Sequence, residues 1–148
     1  MSMSDSDALA KRLRPLVSRL NHVERREANK EDLTETQASV LLTLRSRGPV
    51  RMGELAEIEG MAMPSMTDGI RRLEQLGHVR RVPGVEDRRV VNVEVTEPGA
   101  ELLAAYIESH DGFYAERLAR LTRSERKAIA AAIDPLYKLL EEESDEEV

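Results

Sequence analysis

The sequence predicts a mainly α-helical fold with one small β-hairpin, an α+β class in which helix dominates. Of the 148 residues, 41% are apolar, enough for one core, and only 3% are aromatic. Apolar residues recur at three- and four-residue spacing along most of the chain, and they alternate with polar residues only near residues 79–95. We therefore expect residues 1–148 to form a single domain.

The first helix is predicted from an apolar stripe, and we expect it to run to about Asn29. Pro15 lies inside the stripe and either kinks the helix or marks a later start near Arg14. Such a stripe needs an apolar partner. Its members are Leu9, Leu13, Leu16, Val17, Leu20 and Val23.

A second helix is predicted to begin at Thr34, because Thr34 and Gln37 have the spacing of a capping box. We expect this helix to end at Gly48, in the left-handed conformation, before Pro49. Residues 50–52 are long enough only for a short edge strand. The apolar residues of the helix are Ala38, Leu41, Leu42 and Leu44.

Two short helices joined by a glycine turn follow, which is the pattern of a helix-turn-helix. The first covers residues 54–59 and stops at Gly60, and the second has Pro64 in its first turn. The second helix ends at Gly77, and Gly69 inside it is expected to allow close packing. Its apolar positions are Met66, Ile70, Leu73 and Leu76.

Residues 79–95 are predicted to form a hairpin with an exposed tip at residues 83–87, because valines occupy alternate positions after the tip. A helix restarts at Thr96 and Pro98, and Thr122 and Glu125 form a second capping box before a last helix. The apolar residues of these two helices are Leu102, Leu103, Tyr106, Ile107, Phe113, Tyr114 and Leu118, then Ile129, Ile133, Leu136, Tyr137 and Leu140.

The net charge of −6 disfavours nucleic-acid binding at first sight, but its distribution changes that interpretation. Six of the 28 acidic residues lie in the tail at residues 141–148, so the remaining 22 balance the 22 basic residues. We expect this tail to be disordered and solvated.

Several classes of protein are excluded or disfavoured. The chain has no cysteine, which excludes disulfides and thiolate metal sites. The sequence contains no nucleophile elbow, zinc-protease motif or phosphate-binding glycine loop, so we expect no enzymatic activity and no cofactor. The three histidines are too dispersed for a metal site. Neither a signal peptide nor a membrane span is readable, so we expect a cytoplasmic protein that does not bind membranes.

Three stretches in this order, GELAEIEG, PSMTDGIRRLEQLGHVRR and DRRVVNVEVTEPG, resemble the MarR (multiple antibiotic resistance regulator) family of winged helix-turn-helix proteins. The resemblance covers roughly residues 8–140 and implies a homodimeric, repressor-type regulator that binds double-stranded DNA at a pseudo-palindromic operator. It implies a DNA-binding lobe at about residues 34–95 and a helical dimerisation region at about residues 8–30 and 98–140. The alternative function is a winged-helix module that binds protein instead of DNA.

The helix after the glycine turn is expected to enter the major groove, and the hairpin is expected to act as a wing. The resemblance implies that Asp87 orients Arg89, which enters the narrower groove. Asp68 departs from the family pattern and is unfavourable near phosphate unless it accepts from cytosine or pairs with Arg71. In the alternative interpretation, Arg71 and Arg72 only pair with nearby carboxylates on the helix surface. The predicted DNA-binding residues are Pro64, Ser65, Thr67, Asp68, Arg71, Arg72, Asp87, Arg88 and Arg89.

The resemblance also implies a small aromatic or phenolic anion as a possible ligand, bound between the dimerisation and DNA-binding regions. Cationic and aromatic side chains on the first and fifth helices are the candidates for this site. They are Arg19, His22, Arg25 and Arg26, and then Tyr106, His110, Phe113 and Tyr114. In the alternative interpretation, they belong to the helix surface and the core. The predicted ligand-binding residues are Arg19, His22, Tyr106 and His110.

Overall fold

The structure is a computed structural model that describes residues 3–141, and its secondary structure is mainly helical with a small sheet. All but the first residue of the predicted acidic tail lies outside the described residues. The chain divides into two compact units, one up to Asp111 and one from Gly112. The elements in chain order are α1 (Met3–Glu27), α2 (Glu35–Arg47), β1 (Val50–Arg51), α3 (Met52–Ile58), α4 (Met63–Gln75), β2 (Val79–Pro83), β3 (Val91–Val95), α5 (Glu97–Ala119) and α6 (Arg123–Lys138).

Helix α1 runs without interruption through Pro15, so the predicted possibility of a later start near Arg14 is wrong. A proline removes one hydrogen bond, here the one that the Lys11 carbonyl would accept. Both Lys11 and Pro15 are exposed, so this stretch of the helix lies at the solvent-facing surface, where water is available to such a carbonyl. The backbone hydrogen bonds of the other turns in this 25-residue helix keep the chain helical on both sides of the proline.

Helix α2 confirms the predicted capping box. The Gln37 backbone N–H donates to Thr34 Oγ1 at 3.1 Å, and the Thr34 backbone N–H donates to Gln37 Oε1 at 3.0 Å. Gly48 has the predicted positive φ of 77°, but its ψ of −155° differs from the predicted left-handed helical value. Pro49 follows directly, and a proline excludes helical ψ values from the residue before it.

The three strands form an antiparallel sheet in the order β1-β3-β2, which confirms the predicted short edge strand and hairpin. In register, Val50 pairs with Val93, and Val79 pairs with Val95. The hairpin extends one residue further than predicted, to Pro83, which pairs with Val91. Proline is tolerated there because β2 is an edge strand of this sheet.

The core of the first unit lies between the helix-turn-helix and the sheet, and it confirms the mainly helical fold with a wing. The fully buried side chains of α2, α3 and α4 pack together against the central strand β3, at Val93, and against Leu103 of α5. Burial of such side chains is the main stabilising contribution to a fold of this kind. The most deeply buried large residues are Leu41, Leu44, Leu55, Met66, Ile70, Leu73, Val79, Val93 and Leu103.

The beginning of α5 is held against the end of α4. The Thr96 hydroxyl donates to the Gly77 carbonyl at 2.6 Å and accepts from the Gly99 N–H at 3.2 Å. Gly99 is buried, and a Cβ at this position would overlap the carbonyl group of His78. The turn after α4 and the first turn of α5 are therefore in direct backbone contact.

Helix α6 begins at the predicted second capping box, in which the Thr122 N–H donates to Glu125 Oε2 at 2.8 Å and the Glu125 N–H donates to Thr122 Oγ1 at 3.2 Å. Its residues are all exposed, including the apolar ones. None of the helices in the described part of the chain is long and apolar enough to cross a membrane.

Candidate nucleic-acid interface

Helix α4 has one buried face and one exposed polar face. Met66, Ile70 and Leu73 are buried, and their spacing defines the face that packs on the core. The residues opposite them on a 3.6-residue helix form the outward face, and residues between the two faces form the flanks. The outward face carries Pro64, Asp68, Arg71 and Gln75, and the flanks carry Ser65, Thr67 and Arg72. The predicted polar residues of this helix are therefore on its outward and flanking surfaces.

The first turn of α4 lacks a side-chain cap. Ala62 is the N-cap residue and makes no side-chain hydrogen bond, and Pro64 lies in the first turn, as predicted. The first described N–H that bonds within the helix belongs to Met66, which donates to the Ala62 carbonyl at 3.0 Å. Uncapped N–H groups at a helix start favour an anion, because they need an acceptor and lie at the positive end of the helix dipole.

Gly69 lies on α4, and its predicted role in close packing is wrong. A Cβ built at Gly69 would meet no atom within 4 Å. The residue is half-buried beside the core face, about a fifth of a turn from it on the side of Ser65, yet nothing in the described chain presses against it. Its cost to the helix is therefore not offset by packing within this chain.

Most of the arginines around α4 and the hairpin are held by carboxylates on the surface. Arg71 Nη1 lies 3.0 Å from Asp68 Oδ1, which is the pairing considered from the sequence. Arg81 Nε lies 3.5 Å from Glu74 Oε1, so Glu74 pairs with an arginine of the hairpin and not with one of its own helix. Arg80 pairs with Glu94 across the two strands. Exposed pairs of this kind contribute about 0 to 1 kcal/mol each, so an arginine leaves one at little cost.

The tip of the hairpin is closed by backbone hydrogen bonds that only a glycine permits. The Gly84 N–H donates to the Val90 carbonyl at 2.7 Å, and the Val90 N–H donates to the Asp87 carbonyl at 3.1 Å. Gly84 is buried, and a Cβ there would lie 2.5 Å from the Asp87 carbonyl oxygen. The loop thus folds onto Gly84 and leaves Val85 at the tip, 98% exposed.

Asp87 holds Arg89 in one orientation at this tip, as the resemblance implied. Asp87 Oδ1 accepts from the Arg89 backbone N–H at 3.0 Å and from Arg89 Nε at 3.2 Å, while Oδ2 accepts from Nη2 at 3.4 Å. The Arg89 N–H and its guanidinium, with the charge of Arg51, keep the pKa of the Asp87 carboxyl below its usual range. The Arg89 side chain is 92% exposed, so it is oriented but free to contact a partner.

Four residues of the predicted DNA-binding set remain: two arginines, a serine and a threonine. Arg72 and Arg88 are exposed and have no ion-pair partner within residues 3–141. Ser65 is exposed and Thr67 is half-buried, and both lie near the start of α4. All four are accessible to a partner on the side of α4 or at the hairpin tip.

Sequence reasoning missed two residues of this surface. Gln75 lies on the outward face of α4, one turn beyond Arg71. The spacing of the apolar residues Met66, Ile70 and Leu73 predicts which face is buried and therefore puts Gln75 on the opposite one. Arg51 is exposed on β1, pairs in register with Asn92, and acts electrostatically on Asp87. The alternation of a buried Val50 with an exposed Arg51 was the available signal.

A separate cleft of about 330 Å³ lies between the end of α1, the start of α2 and α5, and it contains two of the four predicted ligand-binding residues. Tyr106 and His110 line it, with their ring centroids 3.9 Å apart. Arg19 and His22 are exposed on α1 and do not line this cleft. The other lining residues are Arg25, Asn29, Thr34, Glu35 and Thr36.

The cleft has an unusual electrostatic environment at Tyr106. Burial raises the pKa of the Tyr106 hydroxyl, and the charges of Glu35, Glu24 and Glu31 raise it further. Each of these carboxylates disfavours a second negative charge nearby, so the phenol stays neutral over a wide pH range.

Comparison with known proteins gives consistent matches. The sequence model of the MarR family matches residues 33–91. An HTH-type transcriptional regulator of Mycobacterium tuberculosis is 40% identical over 141 residues, which cover 95% of this chain and 99% of the relative. The HTH-type transcriptional repressor NicR of Pseudomonas putida is 32% identical and covers 79% of this chain and 74% of the repressor.

Solved structures match the fold. A MarR family protein from Bacillus stearothermophilus superimposes with a TM-score of 0.78 at 25% identity and covers 95% of this chain and 98% of that protein. A variant of Staphylococcus aureus MepR bound to an oligodeoxyribonucleotide has a TM-score of 0.64 at 19% identity and covers 87% of this chain and 98% of that protein. The second match concerns the fold alone.

Proposed function

The chain belongs to the MarR family of transcriptional regulators, and from this premise we propose that it is a homodimeric repressor that binds a specific double-stranded DNA site and is released by a small ligand. As in its bacterial relatives, the activity is transcriptional regulation and not catalysis. The observation that carries the proposal is the pairing of an uncapped, polar-faced α4 with a hairpin tip on which Asp87 presents Arg89.

In the proposed complex, α4 lies in a major groove and the hairpin reaches the adjacent minor groove. Ser65, Thr67 and Arg72 are in position to contact base edges or phosphates from the start and flanks of α4. Arg89 is held in place by Asp87 before binding, so it loses less conformational freedom when it enters a narrow groove. When DNA binds, the Arg71 guanidinium leaves the Asp68 carboxylate and contacts a phosphate or a base instead.

A dimer is supported by two apolar stripes that one chain leaves exposed. Apolar side chains recur along one side of α1 and one side of α6 at helical spacing. Two copies of one reading helix recognise a palindrome whose half-sites lie about 34 to 36 Å apart. We name these surfaces the dimerisation stripes, and they consist of Leu9, Leu16, Val17 and Leu20 on α1 and of Ile129, Ile133, Leu136 and Tyr137 on α6.

The ligand response is supported by the cleft beside Tyr106 and His110. This cleft joins α1, α2 and α5, and α5 is in backbone contact with the end of α4 through Gly99 and His78. A ligand that binds one arrangement of these helices better than another shifts the equilibrium between them.

The decisive experiment is selection of bound sequences from a pool of random DNA duplexes by the full chain. We expect enrichment of a pseudo-palindrome with two half-sites one helical turn apart. The variant Arg72→Ala is expected to enrich less, while Arg120→Ala, outside α4 and the hairpin, is expected to match the wild type. Failure to enrich any sequence, with the chain folded, would instead indicate a winged-helix module that binds protein.

A further inference from the structure

The cleft beside α5 has an aromatic wall with a fixed geometry. The His110 ring lies over the Tyr106 ring with an angle of 31° between them, and His110 Nδ1 is 2.7 Å from the Tyr106 carbonyl oxygen. A carbonyl oxygen only accepts hydrogen bonds, so Nδ1 carries the proton of that bond. The other ring nitrogen, Nε2, lies 3.8 Å from Glu24 Oε1.

Three carboxylates surround this wall. Glu35 lines the cleft from the first turn of α2 and has no ion-pair partner within residues 3–141. Glu24 faces His110, and Glu31 accepts from the Ser109 hydroxyl at 2.6 Å through one oxygen. The other oxygen of Glu31 is buried and makes no hydrogen bond among the described residues.

Among the lining residues, the carboxylate of Glu35 stands against one permanent cation, while the other two carboxylates act on the rings without lining the cleft. Arg25, in the last turn of α1, is the permanently charged cation among the lining residues. The start of α2 is positive by its dipole, but Thr34 already caps the Gln37 N–H and Glu35 lies in the first turn. The raised pKa of Tyr106 agrees with a negative potential at its hydroxyl, since the charges that act on it are the three carboxylates.

We infer that this cleft binds a small aromatic cation, a protonated or quaternary amine carried on a ring, in preference to a phenolic anion. The ring packs against Tyr106 and His110, and the positive group lies towards Glu35 and the Tyr106 hydroxyl. An anion gains the attraction of Arg25 but meets three carboxylates. This class differs from the anion that the resemblance implied, and its regulatory meaning rests on the proposed ligand release.

Three probes that share a benzyl group test the inference: benzylammonium, phenylacetate and benzyl alcohol, which are positive, negative and neutral. Each is titrated into the full chain while NMR follows the ring of His110 and the backbone amides around Tyr106. We expect benzylammonium to bind about tenfold more tightly than phenylacetate, with benzyl alcohol between them. A tighter phenylacetate complex, equal affinities, or no shift at these residues with any probe would overturn the inference.

The variant Glu35→Gln removes one charge and keeps the shape of the side chain. We expect it to weaken benzylammonium binding about fivefold and to leave benzyl alcohol unchanged. Glu101→Gln makes the same charge change on α5 outside the lining residues and is expected to change neither. Glu24→Gln gives a second measurement if Glu35→Gln fails to fold, and an unchanged preference for the cation in the folded variant contradicts the inference.

A parallel assay separates this inference from the proposed function. The operator selected from random duplexes is titrated with protein in the presence of each probe. Binding of benzylammonium in the cleft without release of DNA leaves the ligand class standing and refutes the ligand response. Failure to bind any duplex refutes the proposed function, while the NMR ranking of the three probes still decides the ligand class.

Discussion

The substitution Arg89→Ala tests how the wing contributes to binding. The side chain is 92% exposed, and its contacts within the described chain are those with Asp87. Surface substitutions of this kind leave stability nearly unchanged, so we expect Tm to move by no more than about 2 °C. If each subunit of a dimer places Arg89 at a phosphate or in a minor groove, the substitution removes two contacts with DNA.

The expected magnitude follows from counterion release. The slope of the logarithm of the binding constant against the logarithm of salt concentration changes by about 0.9 for each phosphate contact, so two contacts make it shallower by about 1.8. Affinity for the operator is expected to fall at least about thirtyfold, because a well-placed arginine contributes about 1 to 3 kcal/mol and the dimer loses two of them. Fluorescence anisotropy over a series of salt concentrations measures both quantities.

Arg120→Ala is the matched control, since it makes the same charge change on an exposed residue that pairs with Glu116. It is expected to leave the slope unchanged. An Arg89→Ala variant with the wild-type slope and affinity would remove the wing from the mechanism, and so would an equal change in both variants.

Three further predictions concern packing, assembly and pH. Gly99→Ala is expected to destabilise the fold by about 2 kcal/mol or more in thermal denaturation, because a Cβ overlaps a backbone carbonyl, while Gly69→Ala is expected to stabilise it by about 0.5 to 1 kcal/mol; the reverse order would contradict the assigned environments. Ile133→Glu is expected to convert the dimer to a monomer in analytical ultracentrifugation, whereas Lys127→Glu on the opposite side of α6 keeps the dimer; a dimeric Ile133→Glu variant would exclude that stripe from the interface. The pKa of the folded Asp87 carboxyl lies below its usual value of about 3.9, so the contact with Arg89 is expected to persist as the pH falls to about 3.9 and to be lost only below it, as Asp87 becomes protonated. An NMR titration midpoint for Asp87 at or above about 3.9 would refute this assignment.

The elements that sequence predicted well are those fixed by local chemistry. Thr34 and Thr122 each form a capping box with the residue three positions later, and alternating valines placed β3 correctly. The orientation of Arg89 by Asp87 is also local, since the two residues are two positions apart. Short-range signals of this kind do not depend on how distant segments pack.

The features that sequence missed depend on packing or on solvent. Helix α1 continues past Pro15 because the carbonyl left without a partner belongs to a solvent-facing stretch of the helix, which a pattern of apolar residues does not reveal. Arg19 and His22 lie outside the cleft that Tyr106 and His110 line, whereas Arg25, further along α1, lines it. The carboxylates near Tyr106 come from separate segments, and only tertiary structure brings Glu24 and Glu35 to the same ring.

The arginines beside α4 and in the hairpin carry intramolecular counterions. Asp68, Glu74 and Glu94 each occupy a guanidinium that a passing phosphate would otherwise attract. In the proposed function, a random stretch of duplex displaces these carboxylates at a cost of about 0 to 1 kcal/mol each and offers no base contacts in return. An operator displaces the same carboxylates but adds the base contacts that we propose for α4. Under that proposal, the paired carboxylates favour discrimination between operator and unrelated DNA by a small amount for each pair.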